Sequence, residues 1–211
     1  MNSQDLIKSI VNNFYDDDKL NVMYLCLSEN LMKKCVSNDS DVLEIDLCKE
    51  TIPLAPFLTI LSKTKIPDEL LKKSAYELQY ETFKSFFKNG FPEDRNDSVI
   101  FEEIDYEKIR MRETIIALLE KCFCGKVIVF NSQLMSDDAL KILSQLENFA
   151  LKGKFIFCFN NLDMEKKSSA MKKFFQKIGR QKNYYSINTL EDFSEEEFTL
   201  KPEKKEIDYH K

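Results

Sequence analysis

The chain has 211 residues, 43% hydrophobic and 32% charged, which suits one substantial core and excludes wholesale disorder. A net charge of −5 gives no global basic footprint for nucleic acid, leaving only a local patch as an option. No apolar run approaches the roughly 20 residues that a membrane span needs.

The first segment, MNSQDLIKSIVNNFYDDDK, places Leu6, Ile7, Ile10, Val11 and Phe14 on one helical face. It is too polar for a signal-peptide core, so a cytoplasmic location is expected. NVMYLCL (21–27) and VLEIDL (42–47) follow as strands. Pro53 and Pro56 then force a turn before a short helix. A long helical region is expected over 67–89, stopping at Asn89-Gly90. FPEDRNDSV reads as a loop, and 103–121 has helical spacing.

KVIVF (126–130) is the clearest buried strand in the chain. Ser136 offers an N-cap, with Asp137 and Asp138 as the acidic first turn, to a helix expected to run to Gly153. KFIFCF (154–159) is a further apolar strand, 163–181 a basic amphipathic helix, and YYSIN (184–188) a final strand. Strands that are apolar on both faces and alternate with helices call for a mainly parallel sheet covered on two sides. The expected fold is a three-layer α/β domain over 1–193, with a charged tail at 194–211.

The chemistry-bearing residues are few. His210 is the only histidine, so no Ser-His-Asp or Cys-His arrangement is indicated. Cys122 and Cys124 form the only close cysteine pair and lack further ligands for zinc, while Cys26 and Cys158 read as buried hydrophobes within strands. Asp41, Glu44 and Asp46 near Lys49 loosely suit a metal-dependent nuclease, though acids at strand ends are commonly just solvated. An intact phosphate-binding GxxxxGK[ST] motif is absent, because none of the four glycines follows the first strand.

LCLSENLMKKCV (25–36) nevertheless resembles the phosphate-loop segment of the signal-transduction AAA-type ATPases known as STAND proteins. Ser28 and Lys33 stand at the two motif glycines, Lys34 at the motif lysine and Cys35 at the Ser/Thr. IDLCKETIPLAPF (45–57) is similar to that family's second strand and proline turn. KVIVFNSQLMSDDALKIL (126–143) is similar to its Walker B stretch, with Asn131 and Ser132 in place of the two acids. KFIFCFNN (154–161) puts Asn160 or Asn161 at the polar sensor position, and NYYSINTLEDFSEEEF resembles the strand and turn closing the ATPase core.

The resemblance implies a P-loop NTPase-like sheet with a vestigial nucleotide site at Ser28, Lys33, Lys34, Cys35, Asn131 and Asn160. It departs from the family where the chemistry sits. Side chains replace glycines that must let backbone approach phosphate, and Asn131 is neutral where magnesium needs a carboxylate. The expectation is therefore a catalytically inactive domain, with no cofactor and no metal, that serves signalling or transcription control by binding a protein. The alternatives are a clamp-loader-like, ATP-dead subunit in DNA replication and a metal-dependent nuclease or NTPase.

Overall fold

The computed structural model describes residues 3–28, 31, 41–50, 54–89, 105–160 and 168–187. Its elements are α1 (Ser3–Asp16), β1 (Val22–Leu27), β2 (Val42–Asp46), α2 (Phe57–Ser62), α3 (Asp68–Ser74), α4 (Glu77–Asn89) and α5 (Asp105–Cys122). These are followed by β3 (Lys126–Phe130), a 3-10 turn (Ser132–Leu134), α6 (Asp137–Leu146), β4 (Lys154–Asn160), α7 (Ser169–Ile178) and β5 (Tyr184–Ser186).

The five strands form one sheet in the order β2-β3-β4-β1-β5, and every pairing is parallel. Strand alternation sorts the side chains into two cores. Tyr24, Ile45, Val127, Val129, Phe155, Phe157 and Phe159 point to the side covered by α2 to α7. Met23, Leu25, Leu27, Ile128, Phe130, Ile156 and Cys158 point to the other side, where α1 contributes Ile7 and Phe14. The result is the three-layer α/β architecture that two-sided apolar strands require.

On the larger side, Phe157 is fully buried, with its ring centroid 6.2 Å from those of both Tyr24 and Phe57. Phe155 stacks parallel to it at 6.5 Å. Gly153 is needed just before β4, because a Cβ there would lie 2.3 Å from Phe123 Cδ1. The amino end of β4 is also tied to α1. Lys154 Nζ donates to the carbonyls of Asp17 and Leu20 and sits 5.3 Å from the centre of the Phe14 ring.

Four element boundaries differ from the sequence expectation. The helical region over 67–89 is two helices, broken where Ala75 turns extended (φ −89°, ψ 145°). Neither Ala75 nor Tyr76 is a helix breaker, so the cause is tertiary. The Ser74 carbonyl accepts from Thr114 Oγ1 of α5, and Tyr76 OH donates to Glu113. The helix after Ser136 ends at Leu146 rather than near Gly153, with Asn148 and Phe149 N–H groups closing turns onto Gln145 and Leu146. The final strand covers 184–186, and the basic helix is described over 169–178.

Ser136 caps α6 as expected, its Oγ accepting from Ala139 N at 3.2 Å. Among the described residues, no helix is long and apolar enough to cross a membrane. The tail at 194–211 lies outside the described residues.

Phe157→Ala should destabilise the protein by about 3–5 kcal/mol, the usual cost of emptying an aromatic site in a packed core. Urea unfolding followed by circular dichroism checks this, and a loss below about 1 kcal/mol would contradict the packing described.

Candidate functional site

In open parallel sheets, ligands bind beyond the carboxyl ends of the strands, where neighbouring strands send their connections opposite ways. That place lies between β1 and β4. β1 connects towards β2 at one edge of the sheet, and β4 towards β5 at the other. Leu27 and Asn160 are register partners there, so Ser28, the next residue, and Asn160 both lie at the mouth of this crevice. The Ser28 carbonyl accepts from Leu31 N at 3.0 Å, and Leu31 is buried beneath the sheet. Lys33, Lys34, Cys35 and Asn161 lie outside the described residues.

Asn131 follows β3 directly, in the left-handed region with φ 56° and ψ 38°. Asparagine tolerates this conformation better than most residues. The turn aims its side chain at β2, where Nδ2 donates to Asp46 Oδ1 at 2.8 Å. Gln133 Nε2 donates to Asn131 Oδ1 at 3.2 Å, and Gln133 Oε1 accepts from Asn160 N at 2.9 Å. One chain of hydrogen bonds therefore runs from Asp46 through Asn131 and Gln133 to Asn160, across the carboxyl ends of β2, β3 and β4. Ser132 is fully buried, its Oγ donating to the Val129 carbonyl at 3.0 Å.

Among the described residues, the acid that adjoins Asn131 is Asp46, from the neighbouring strand. Its Oδ1 also accepts from Cys48 N at 3.1 Å, and Lys49 Nζ is 3.9 Å from Oδ2. Partial burial pushes its pKa up, but the hydrogen bonds from Asn131 and Cys48 and the charge of Lys49 outweigh this, leaving the carboxyl below its ordinary value.

The two acids that open α6 are also engaged. Asp137 Oδ1 accepts from Ser168 Oγ at 3.0 Å. Asp138 Oδ1 accepts from Arg112 Nη1 and Lys141 Nζ, both at 2.9 Å. Burial raises the Asp138 carboxyl, yet Lys141, Arg112 and Lys108 hold it below its ordinary value. Asp137 and Asp138 are thus tied into the packing of α5, α6 and the start of α7.

No protein-family model matches this chain, and comparison with curated proteins returns no match.

Of the expected site residues, Ser28, Asn131 and Asn160 come to the same end of the sheet. Gln133 was not expected, and its sequence signal is weak because it sits in a short polar turn. Asp46 is close to Asp41 and Glu44 in sequence, and the fold places it beside Asn131. Among the described residues, no group of three or more His, Cys, Asp or Glu side chains is placed to hold a metal ion. Cys26 and Cys158 are buried inside β1 and β4 and form no disulfide, as their apolar settings implied.

A second polar cluster, at the opposite end of the sheet, was not expected either. Glu147 accepts from Gln181 Nε2 at 2.6 Å and from Asn183 Nδ2 at 2.8 Å, while Asn183 Nδ2 also donates to the Val22 carbonyl. The buried Tyr24 hydroxyl is bonded to the same carboxylate. Burial, then the negative charge of Glu147, then that hydrogen bond, all push the phenol's pKa upward.

Two outcomes follow for the relay. Asn131→Asp replaces a donor with an acceptor facing the Asp46 carboxylate, and should cost about 1–3 kcal/mol at neutral pH. The deficit should shrink on acidification, as one of the paired carboxyls takes up a proton. Denaturant unfolding at pH 7 and pH 4 measures both, and an equal deficit at the two pH values would refute the contact. Asp46→Asn keeps an acceptor but removes the charge. Because the folded pKa of Asp46 is depressed, its contribution is complete above the unfolded value and is lost as pH falls through the folded value. Wild type should exceed Asp46→Asn by about 0.5–1 kcal/mol near neutrality and converge with it in acid, read from melts across pH.

Proposed function

We propose that this chain is a degenerate ATPase-like domain, related in layout to the STAND ATPases, that does not hydrolyse nucleotide and acts by binding a protein partner. The observation that carries this reading is the Asp46–Asn131–Gln133–Asn160 relay. Phosphoryl transfer depends on positioned loop amides, a lysine, and magnesium held by a carboxylate. On the resemblance, Asn131 occupies the position of that carboxylate. Among the described residues the acid beside it is Asp46, whose Oδ1 is committed to Asn131 Nδ2 and Cys48 N. A magnesium ion there would have to displace these donors.

The partner assignment has its own support. Leu134 stands 54% exposed on the turn that carries the relay, which offers a partner an apolar contact there. The STAND resemblance adds signalling or transcription control as the setting.

The experiment is thermal melting of the full chain with and without Mg-ATP and Mg-GTP, alongside a phosphate-release assay. A nucleotide at 100 times its dissociation constant would stabilise the fold by about 2.7 kcal/mol. The expected result is no nucleotide-dependent shift and no phosphate above a blank. Turnover that disappears in Lys34→Ala would overturn the proposal and assign the loop after β1 a working role.

A further inference from the structure

The segment Ser168–Ile187 contains Lys172, Lys173, Lys177, Arg180 and Lys182 and no acid, in a chain whose overall charge is −5. Helix α7 buries Met171, Phe174 and Ile178 against the core and turns Lys172, Lys173 and Lys177 outward, and Arg180 and Lys182 are exposed just after it. Lys173, Lys177 and Arg180 fall at i, i+4 and i+7, one stripe along the helix and its exit turn. A rise of 1.5 Å per residue puts Lys173 and Lys177 about 6 Å apart along the axis.

Arg110, Arg112 and Lys141 are each paired with an acid, Glu107 for the first and Asp138 for the other two. Among the described residues, Lys173, Lys177, Arg180 and Lys182 form no ion pair. Lys177 donates to the Ser144 carbonyl, which fixes its position and leaves its charge uncompensated.

The stripe ends at an open pocket beside the amino ends of β1 and β5. Lys182 and the 39%-exposed Phe149 both line it, together with Lys19, Asn21 and Glu147. Glu147 lines the same pocket and keeps its negative charge while Gln181 and Asn183 hold its carboxylate in place, so the phosphates are placed along the stripe and the base in the pocket. Asp16, Asp17 and Asp18 precede Lys19 and bound the basic surface on that side.

We propose that this surface binds single-stranded nucleic acid, with phosphates along Lys173, Lys177, Arg180 and Lys182 and a base stacked on Phe149. A row of uncompensated cations leading to an exposed aromatic ring is the combination that holds a single strand without sequence preference. An anionic membrane suits the surface less well, because the apolar face of α7 is buried in the core and has nothing to insert. The inference is independent of the relay at the other end of the sheet.

The test is fluorescence anisotropy of the full chain with a labelled oligothymidine across 50–200 mM salt. Four phosphate contacts predict a slope of about −3 for log affinity against log salt, and a loss of about 50-fold over that range. The double variant Lys173→Ala with Lys177→Ala should halve the slope. Phe149→Ala should weaken the single strand at least tenfold more than a duplex and leave the slope unchanged. Circular dichroism verifies that both variants are folded. Absence of binding at 50 mM salt, a slope unaltered by the lysine variants, or equal loss of single strand and duplex in Phe149→Ala would overturn the proposal. So would binding to phosphatidylserine vesicles with none to the oligonucleotide.

Discussion

The structure depends on a sheet whose three middle strands, β3, β4 and β1, have almost no side chain that tolerates water. Val127 to Phe130, Phe155 to Phe159 and Val22 to Leu27 are buried on both faces. Such strands can satisfy their backbones only by pairing with one another, and their side chains only by being covered twice. Helices must therefore supply an apolar layer to each face. α1 serves the smaller face, and the run from α2 to α7 the larger. The polar groups left over are pushed to the two ends of the strands, where both polar clusters lie.

Those ends are built in different ways. At the carboxyl end, amide side chains link one strand to the next, and each contact in the chain uses a donor against an acceptor. At the amino end, one carboxylate gathers donors from α7's exit turn, from the segment entering β5 and from β1. The first arrangement occupies the place where a parallel sheet ordinarily receives a ligand. The second leaves an open pocket at the foot of a basic stripe.

Much of this was legible in the sequence, for a simple reason. Runs such as KVIVF and KFIFCF can be little else than buried strands, and their alternation with helices indicates parallel pairing. Ser136 announced its helix because capping is local chemistry. The break at Ala75 was not legible, since it is imposed by Thr114 and Glu113 on another helix. Nor was the Asp46–Asn131 contact, which joins residues 85 apart and exists only because β2 and β3 pair in one register. The resemblance pointed to Asn131 as a lost acid, but not to an acid waiting on the next strand.

The pairing of β1 with β4 has a consequence for how the chain is made. Val22 to Leu27 are synthesised well before their neighbours on both sides, Phe155 to Asn160 and Tyr184 to Ser186. The most apolar early segment must therefore wait on the ribosome without its partners, and such non-local parallel pairing is intrinsically slow. During that interval α1 is its nearest cover, since Ile7 and Phe14 already face the side of Met23, Leu25 and Leu27. Of the described elements that cover this strand, the first helix is the one nearest to it in sequence.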